Sequence, residues 1–182
     1  MHAARWCVGV ALAAAACASA PKFNYYTLAV EPSGSVRPEI NLRVERLRTT
    51  GALGDDRIHI QASPTRVEYY ATERWAAGVG EIVQRKLAAE FGPALTGRRI
   101  LVVTGTVLAC GQIDTKEGAA AHVKLVLEIR DPALKRFEPP LLEKTYEATL
   151  PAAAPAADAV VDALSRCVER IAAEIAEDAS AL

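Results

Sequence analysis

Apolar and polar positions alternate with a two-residue period through most of the chain, interrupted by two stretches with a helical period. Ile40, Leu42 and Val44 alternate with Asn41, Arg43 and Glu45, the pattern of a strand with one buried face. Ile58 and Ile60 alternate with His59 and Gln61, and Arg66 to Tyr70 predicts another short strand, so the two form a hairpin-like unit about Ser63-Pro64. Asn24 to Val30, aromatic and β-branched between Pro21 and Pro32, predicts an earlier strand, and Gly51 to Asp56 is turn material. From Arg99 to Ile113 both alternating sets are apolar: Leu101, Val103 and Val107 on one face, Ile100, Val102 and Leu108 on the other. That predicts a long central strand. After a turn at Asp114–Gly118, Ala121, Val123, Leu125, Leu127 and Ile129 alternate with His122, Lys124, Glu128 and Arg130 and predict its antiparallel partner. A proline-containing loop, Asp131 to Pro140, leads to a last strand near Leu142 to Leu150.

The helical stretches differ in period. Thr72 can cap a helix, with Glu73 in its first turn, and Trp75, Val79, Ile82, Val83, Leu87 and Phe91 then fall on one stripe before Gly92-Pro93 stops the run. Gly78 and Gly80 fall inside it, at a cost of about 1 kcal/mol each relative to alanine. After the spacer Pro151–Pro155, Val160, Leu164, Val168, Ile171 and Ile175 form a second stripe with Cys167 beside it. Strands, helix, three long strands, helix: this order predicts an α+β fold, an antiparallel or mixed sheet with two amphipathic helices packed on one face. No repeat is evident, and the spacing leaves no room for a second domain.

The first residues follow neither period. Arg5 precedes an apolar, alanine-rich run, Val8 to Ala16, that closes on Cys17. The small-residue stretch Ala14-Ala15-Ala16-Cys17 resembles the lipobox of bacterial lipoproteins, with cleavage before Cys17 and acylation of that cysteine. Leu12 stands five positions before Cys17, whereas such leaders usually have leucine three before it. Two other readings compete: a plain secretory leader cut after Ala16 or Ala20, and a membrane anchor, which needs roughly 20 apolar residues. On the first reading, residues 1–16 are a signal peptide, 17–22 a lipidated tether and 23–182 one α+β domain. The remaining 166 residues suffice for a core without covalent staples. They carry 20 basic against 22 acidic side chains, a near balance that gives no electrostatic case for nucleic acid. Cys110 and Cys167 remain in what is then an oxidising compartment, a disulfide candidate worth about 2–4 kcal/mol; the alternative is two small, buried free thiols.

Catalytic chemistry is sparse. His2 falls in the leader, and His59 and His122 fall on strand faces expected to be polar. There is no H-E-x-x-H, C-x-x-C, G-x-S-x-G or Walker A sequence, so no catalytic residue, metal or cofactor is expected. Asp55-Asp56 fits a turn, and Gly105 and Gly111 within a strand suggest a bulge or a close backbone approach. Trp75, Tyr69, Tyr70 and Arg74 are candidate partner contacts. Against that, Trp75 opens a buried stripe, Arg74 can pair locally with a carboxylate, and only one of two successive tyrosines faces out.

Tyr25-Tyr26-Thr27-Leu28 soon after the lipobox, then Arg57-Ile58-His59-Ile60, Arg66-Val67-Glu68-Tyr69-Tyr70 and Arg74-Trp75-Ala76, make a specific series, continued by pattern alone through Val83, Leu87 and Phe91 and the second half of the chain. In it the chain resembles the ABC-type transport auxiliary lipoprotein family, the PqiC-type lipoproteins; it departs from the family's usual look at Cys110-Gly111, where an aromatic is common. The resemblance implies a non-enzymatic, periplasm-facing partner of an ABC permease and ATPase and of an MCE-domain protein, in a system moving lipids or other hydrophobic compounds between membranes. It also implies a possible homo-oligomeric ring and, with Ala18 after the acylated cysteine, an outer-membrane address. The alternatives are a lipoprotein that scaffolds or activates cell-wall or envelope assembly, and a lipid carrier with its own cavity.

Overall fold

A computed structural model of the chain describes residues 21–34, 36, 39–135 and 137–182; Cys17 and the whole leader lie outside them. In chain order the strands and helices are β1 (Asn24–Tyr26), β2 (Asn41–Val44), β3 (Arg48–Thr49), β4 (Arg57–Ser63), β5 (Arg66–Trp75), α1 (Val79–Phe91), β6 (Ile100–Thr115), β7 (Gly118–Arg130), β8 (Leu142–Pro151) and α2 (Ala157–Ser180). One mixed sheet contains all eight strands in the order β1-β5-β4-β6-β7-β8. β6 organises it. β7 pairs antiparallel along one edge of β6, while β2, β3 and β4 lie end to end along the other edge, all parallel to it. The α+β architecture and the two helices on one face are as the residue pattern predicts.

The helix-side face holds the core. Leu101, Val103, Val107 and Cys110 of β6, the odd-numbered residues from Ala121 to Ile129 of β7, and Tyr146 and Ala148 of β8 are buried there. They meet Val160, Leu164, Val168, Ile171 and Ile175 of α2, each wholly buried. Among the described residues no second layer covers the opposite face. Apolar residues on both faces therefore place β6 centrally, but they do not put a second layer behind it: Ile100 and Leu108 remain 40% and 37% exposed. A bulge between Val107 and Ala109 lets β6 keep both Val107 and Cys110 inward although they are three residues apart.

The first helix begins later than its pattern suggests. β5 continues through Trp75 because β1 pairs parallel with Glu73, Arg74 and Trp75, and the Trp75 amide donates to the Asp56 carbonyl at 2.6 Å. Thr72 is thus a strand residue and not a cap; Gly78 occupies the cap position, Gly80 lies in the first turn, and the acidic first-turn residue is Glu81. A three-residue strand so far back in sequence gives too short a signal to outweigh a good capping sequence.

One polar cluster lies inside the apolar layer. The Lys86 ammonium, wholly buried on α1, donates to Glu90 Oε1 at 2.7 Å, to Glu169 Oε1 of α2 at 2.6 Å and to the Glu31 carbonyl at 3.1 Å. Glu90 also accepts from the Ser33 amide and from its hydroxyl at 2.6 Å. Burial opposes the Glu90 charge, but the bonds from Lys86 and Ser33 outweigh it and hold the carboxyl below its usual range. Three separate segments are thereby tied together.

Candidate functional site

The bare sheet face carries the arrangement with the most unusual chemistry. Strand register sets Tyr69 of β5, His59 of β4, Gly111 of β6, His122 of β7 and Thr149 of β8 in one row across it. The row is possible because its centre has no side chain: a Cβ on Gly111 would stand 2.5 Å from the His59 carbonyl oxygen. The close approach suggested by the strand glycine is found there. Over Gly111 lies an open hollow of about 550 Å³, lined by His59, Gln61, Val67, Leu108, His122 and Thr149 among others.

The two histidines differ in surroundings. His59 packs its ring 5.9 Å from that of Tyr69, and its Nε2 is buried with no hydrogen-bond partner among the described residues. Desolvation pushes its pKa below the ordinary histidine value against a smaller opposing pull from Asp55, so the ring is neutral at neutral pH. His122 Nε2 lies 2.8 Å from Glu147, which also pairs with Lys124 at 2.8 Å; bonds from Lys124 and His122 hold the Glu147 carboxyl below its usual range. Tyr69 and Thr149 bring hydroxyls to the row and make no hydrogen bond to either histidine among the described residues, so the hollow offers apolar contact and hydrogen bonding.

The candidate contacts of β5 separate. Tyr69 faces the bare side, half-buried, with the Arg57 guanidinium 3.9 Å above its ring. Tyr70 faces the helix side and donates to Gln112 Oε1; burial first and then Asp114 and Glu73 push its pKa up to about 12. Arg74 is taken up internally: its guanidinium donates to the carbonyls of Tyr70, Glu73 and Ala71 at 2.9–3.0 Å, stands 3.7 Å from Asp56 and covers the Phe23 ring at 4.7 Å. Trp75 is 2% exposed, part of the core, with an indole N–H that finds no partner among the described residues. Sequence reasoning passed over the exposed aromatics Phe23, Tyr25 and Phe137, exposed by 40%, 64% and 94%. The signal for Phe137 was available: a large apolar residue in a proline-bounded loop with no periodic partner.

Cys110 and Cys167, the candidate bridge, are both buried and both free thiols in the structure. Cys167 Sγ lies 3.7 Å from the Ala121 carbonyl oxygen. Burial pushes their pKa values to about 12 and about 11. Neither forms thiolate near neutral pH, so the folded protein is expected to resist alkylation by iodoacetamide over hours. Unfolding in urea without reductant should then expose two reactive thiols by mass; incorporation of none would establish a bridge.

Among the described residues no three histidine, cysteine, aspartate or glutamate side chains gather as a metal site, and no helix is long and apolar enough to cross a membrane. A family model described as the ABC-type transport auxiliary lipoprotein component matches residues 26–176. No curated protein matches. Two crystal structures share the fold: a protein of uncharacterised function, 16% identical with a TM-score of 0.66 over 87% of this chain and 99% of its own, and a Xanthomonas campestris protein of the DUF330 family model, 15% identical with a TM-score of 0.65 over 88% of this chain and 99% of its own.

Proposed function

This chain belongs to the family of ABC-type transport auxiliary lipoprotein components, and from that membership we propose that it serves as a non-catalytic, lipid-anchored accessory of an ABC transporter and an MCE-domain protein that together move lipids or other hydrophobic compounds between the envelope membranes. Cys17 is the acylated residue, and the domain faces the periplasm from the outer membrane, alone or as a homo-oligomeric ring. The observation carrying this reading is the division of the sheet: one face is spent on the core, while the other is uncovered and holds an open, mixed apolar and polar hollow beside His59. Such a face suits docking, because the helices already satisfy the apolar demand of the fold.

The partner is tested by pull-down of the tagged full chain from detergent-solubilised envelope. Recovery of a permease, ATPase or MCE-domain protein is expected, and recovery of envelope-assembly proteins without any of them would favour the scaffold reading. Cys17→Ser is expected to move the protein out of the membrane fraction entirely, since several acyl chains at about 0.8 kcal/mol per buried CH₂ supply the anchoring.

A further inference from the structure

β1 runs parallel to the end of β5, so the backbone enters β1 at Asn24 from the side of the Ser63–Arg66 turn of the β4–β5 hairpin. Because β4 is parallel to β6, that turn lies at the same end of the sheet as the β6–β7 turn, while the loop after Arg130, carrying Phe137, lies at the other end, where Arg130 pairs with Val102. The six residue steps from Cys17 to Phe23 reach at most about 20 Å. A strand rises about 3.3 Å per residue, so the hairpin from Thr72 to Arg66 extends about as far in the same direction. A domain held on so short a tether cannot stand well clear of its membrane.

The surface beside the tether fits such proximity. Tyr25 shares a face with its register partner Arg74, whose guanidinium covers Phe23, and Arg57 on that same face covers Tyr69; Val67, paired with Gln61, continues it toward the turn. Tyr25, Phe23 and Val67 are 64%, 40% and 42% exposed. Tyr25, a ring with one apolar and one polar end, suits the boundary between headgroups and acyl chains, and Phe23 and Val67 add apolar area beside it. Arg57 pairs with Asp55 and Arg74 stands near Asp56, so the patch is electrically balanced. Its attraction to lipid is therefore apolar and interfacial, and does not require anionic headgroups.

We infer that the β1–β5–β4 edge of the bare face, through Phe23, Tyr25 and Val67, rests on the phospholipid surface to which the chain is anchored, so that the β7–β8 side of that face stays open to a partner and the Phe137 loop is held away from the membrane. This rests on acylation at Cys17. The full-length processed protein is reconstituted in phosphatidylcholine vesicles with a nitroxide attached through Tyr25→Cys, Val67→Cys or Phe137→Cys, and the depth of each label is read from its relative accessibility to oxygen and to a nickel chelate. The buried Cys110 and Cys167 stay unlabelled in the folded protein. The oxygen-to-nickel ratio is expected to rise severalfold at 25 and 67 and to keep its aqueous value at 137, with little change when salt is raised. Labels at 25 and 67 that remain aqueous on vesicle-bound protein overturn the inference while leaving the anchor intact. Processed protein that never binds vesicles overturns the anchor and the inference with it.

Discussion

Lys86→Met is expected to destabilise the domain by about 3–5 kcal/mol, the usual cost of removing one partner from a buried ion pair. The size follows from what stays behind. Glu90 is 3% exposed and loses its ammonium partner, and Glu169 on α2 loses a 2.6 Å bond at the same time. Methionine fills much of the volume, so the loss reports electrostatics more than a cavity. Against a typical total of about 5–15 kcal/mol, the urea midpoint should fall sharply with little change in slope. Lys86→Met/Glu90→Gln should recover a good part of the loss, because a neutral amide no longer carries a buried charge and its oxygen still accepts from Ser33. An equal loss in single and double variants would show that packing, not the uncompensated charge, is responsible. The same cluster sets an acid limit. The folded Glu90 pKa lies below its unfolded value, so its contribution is present above the ordinary glutamate pKa and is lost as pH falls through the folded one. Glu90→Gln should accordingly flatten that part of the stability profile.

Gly105→Ala is the second large effect, expected at about 2–6 kcal/mol. Gly105 sits in β6 at φ 155°, where a side chain is strained by about 1–3 kcal/mol. A Cβ there would also stand 2.1 Å from the Val126 carbonyl oxygen and 2.9 Å from the Leu127 Cα, backbone atoms of the paired strand that cannot swing aside. Overpacking of that kind adds about 1–3 kcal/mol. Gly118→Ala is the control: φ is 129° in the β6–β7 turn, yet nothing lies within 4 Å of the added carbon. Thermal melts should show Gly105→Ala well below Gly118→Ala; equal melting temperatures would mean that β6 and β7 can part at no cost.

The β6–β7–β8 meander and α2 were legible in the sequence because each element is long and apolar in a regular pattern, broken in β6 only by the bulge after Val107, with both members of each strand pair close in sequence. The start of α1 was not. Thr72-Glu73 reads as a good cap, but β1 pairs with Glu73, Arg74 and Trp75, and a local pattern contains no trace of a partner some fifty residues earlier. The bare face was equally hidden: Ile100 and Leu108 look like part of a fully buried strand, and only the helix positions show that both stay exposed, at 40% and 37%. Of the candidate contacts, Tyr69 and Arg74 lie on the hollow's side of the sheet, Arg74 with its guanidinium taken up by backbone carbonyls, while Tyr70 and Trp75 are engaged within the core side of the domain. Adjacent residues on one strand diverge in this way because the pleat sends them to opposite faces.

The end-to-end arrangement of β2, β3 and β4 along β6 has a kinetic consequence. Each of the three pairs with residues more than fifty positions later in the chain. A chain delivered from its N-terminus across a membrane would hold these segments unpaired until β6 arrived, their backbone donors and acceptors open to other chains. Non-local parallel pairing also raises contact order and slows folding relative to helical domains of similar length. Refolding from urea is thus expected to be limited by recruitment of these three segments, and the interval before β6 is delivered is the one in which an envelope chaperone would have the most to protect.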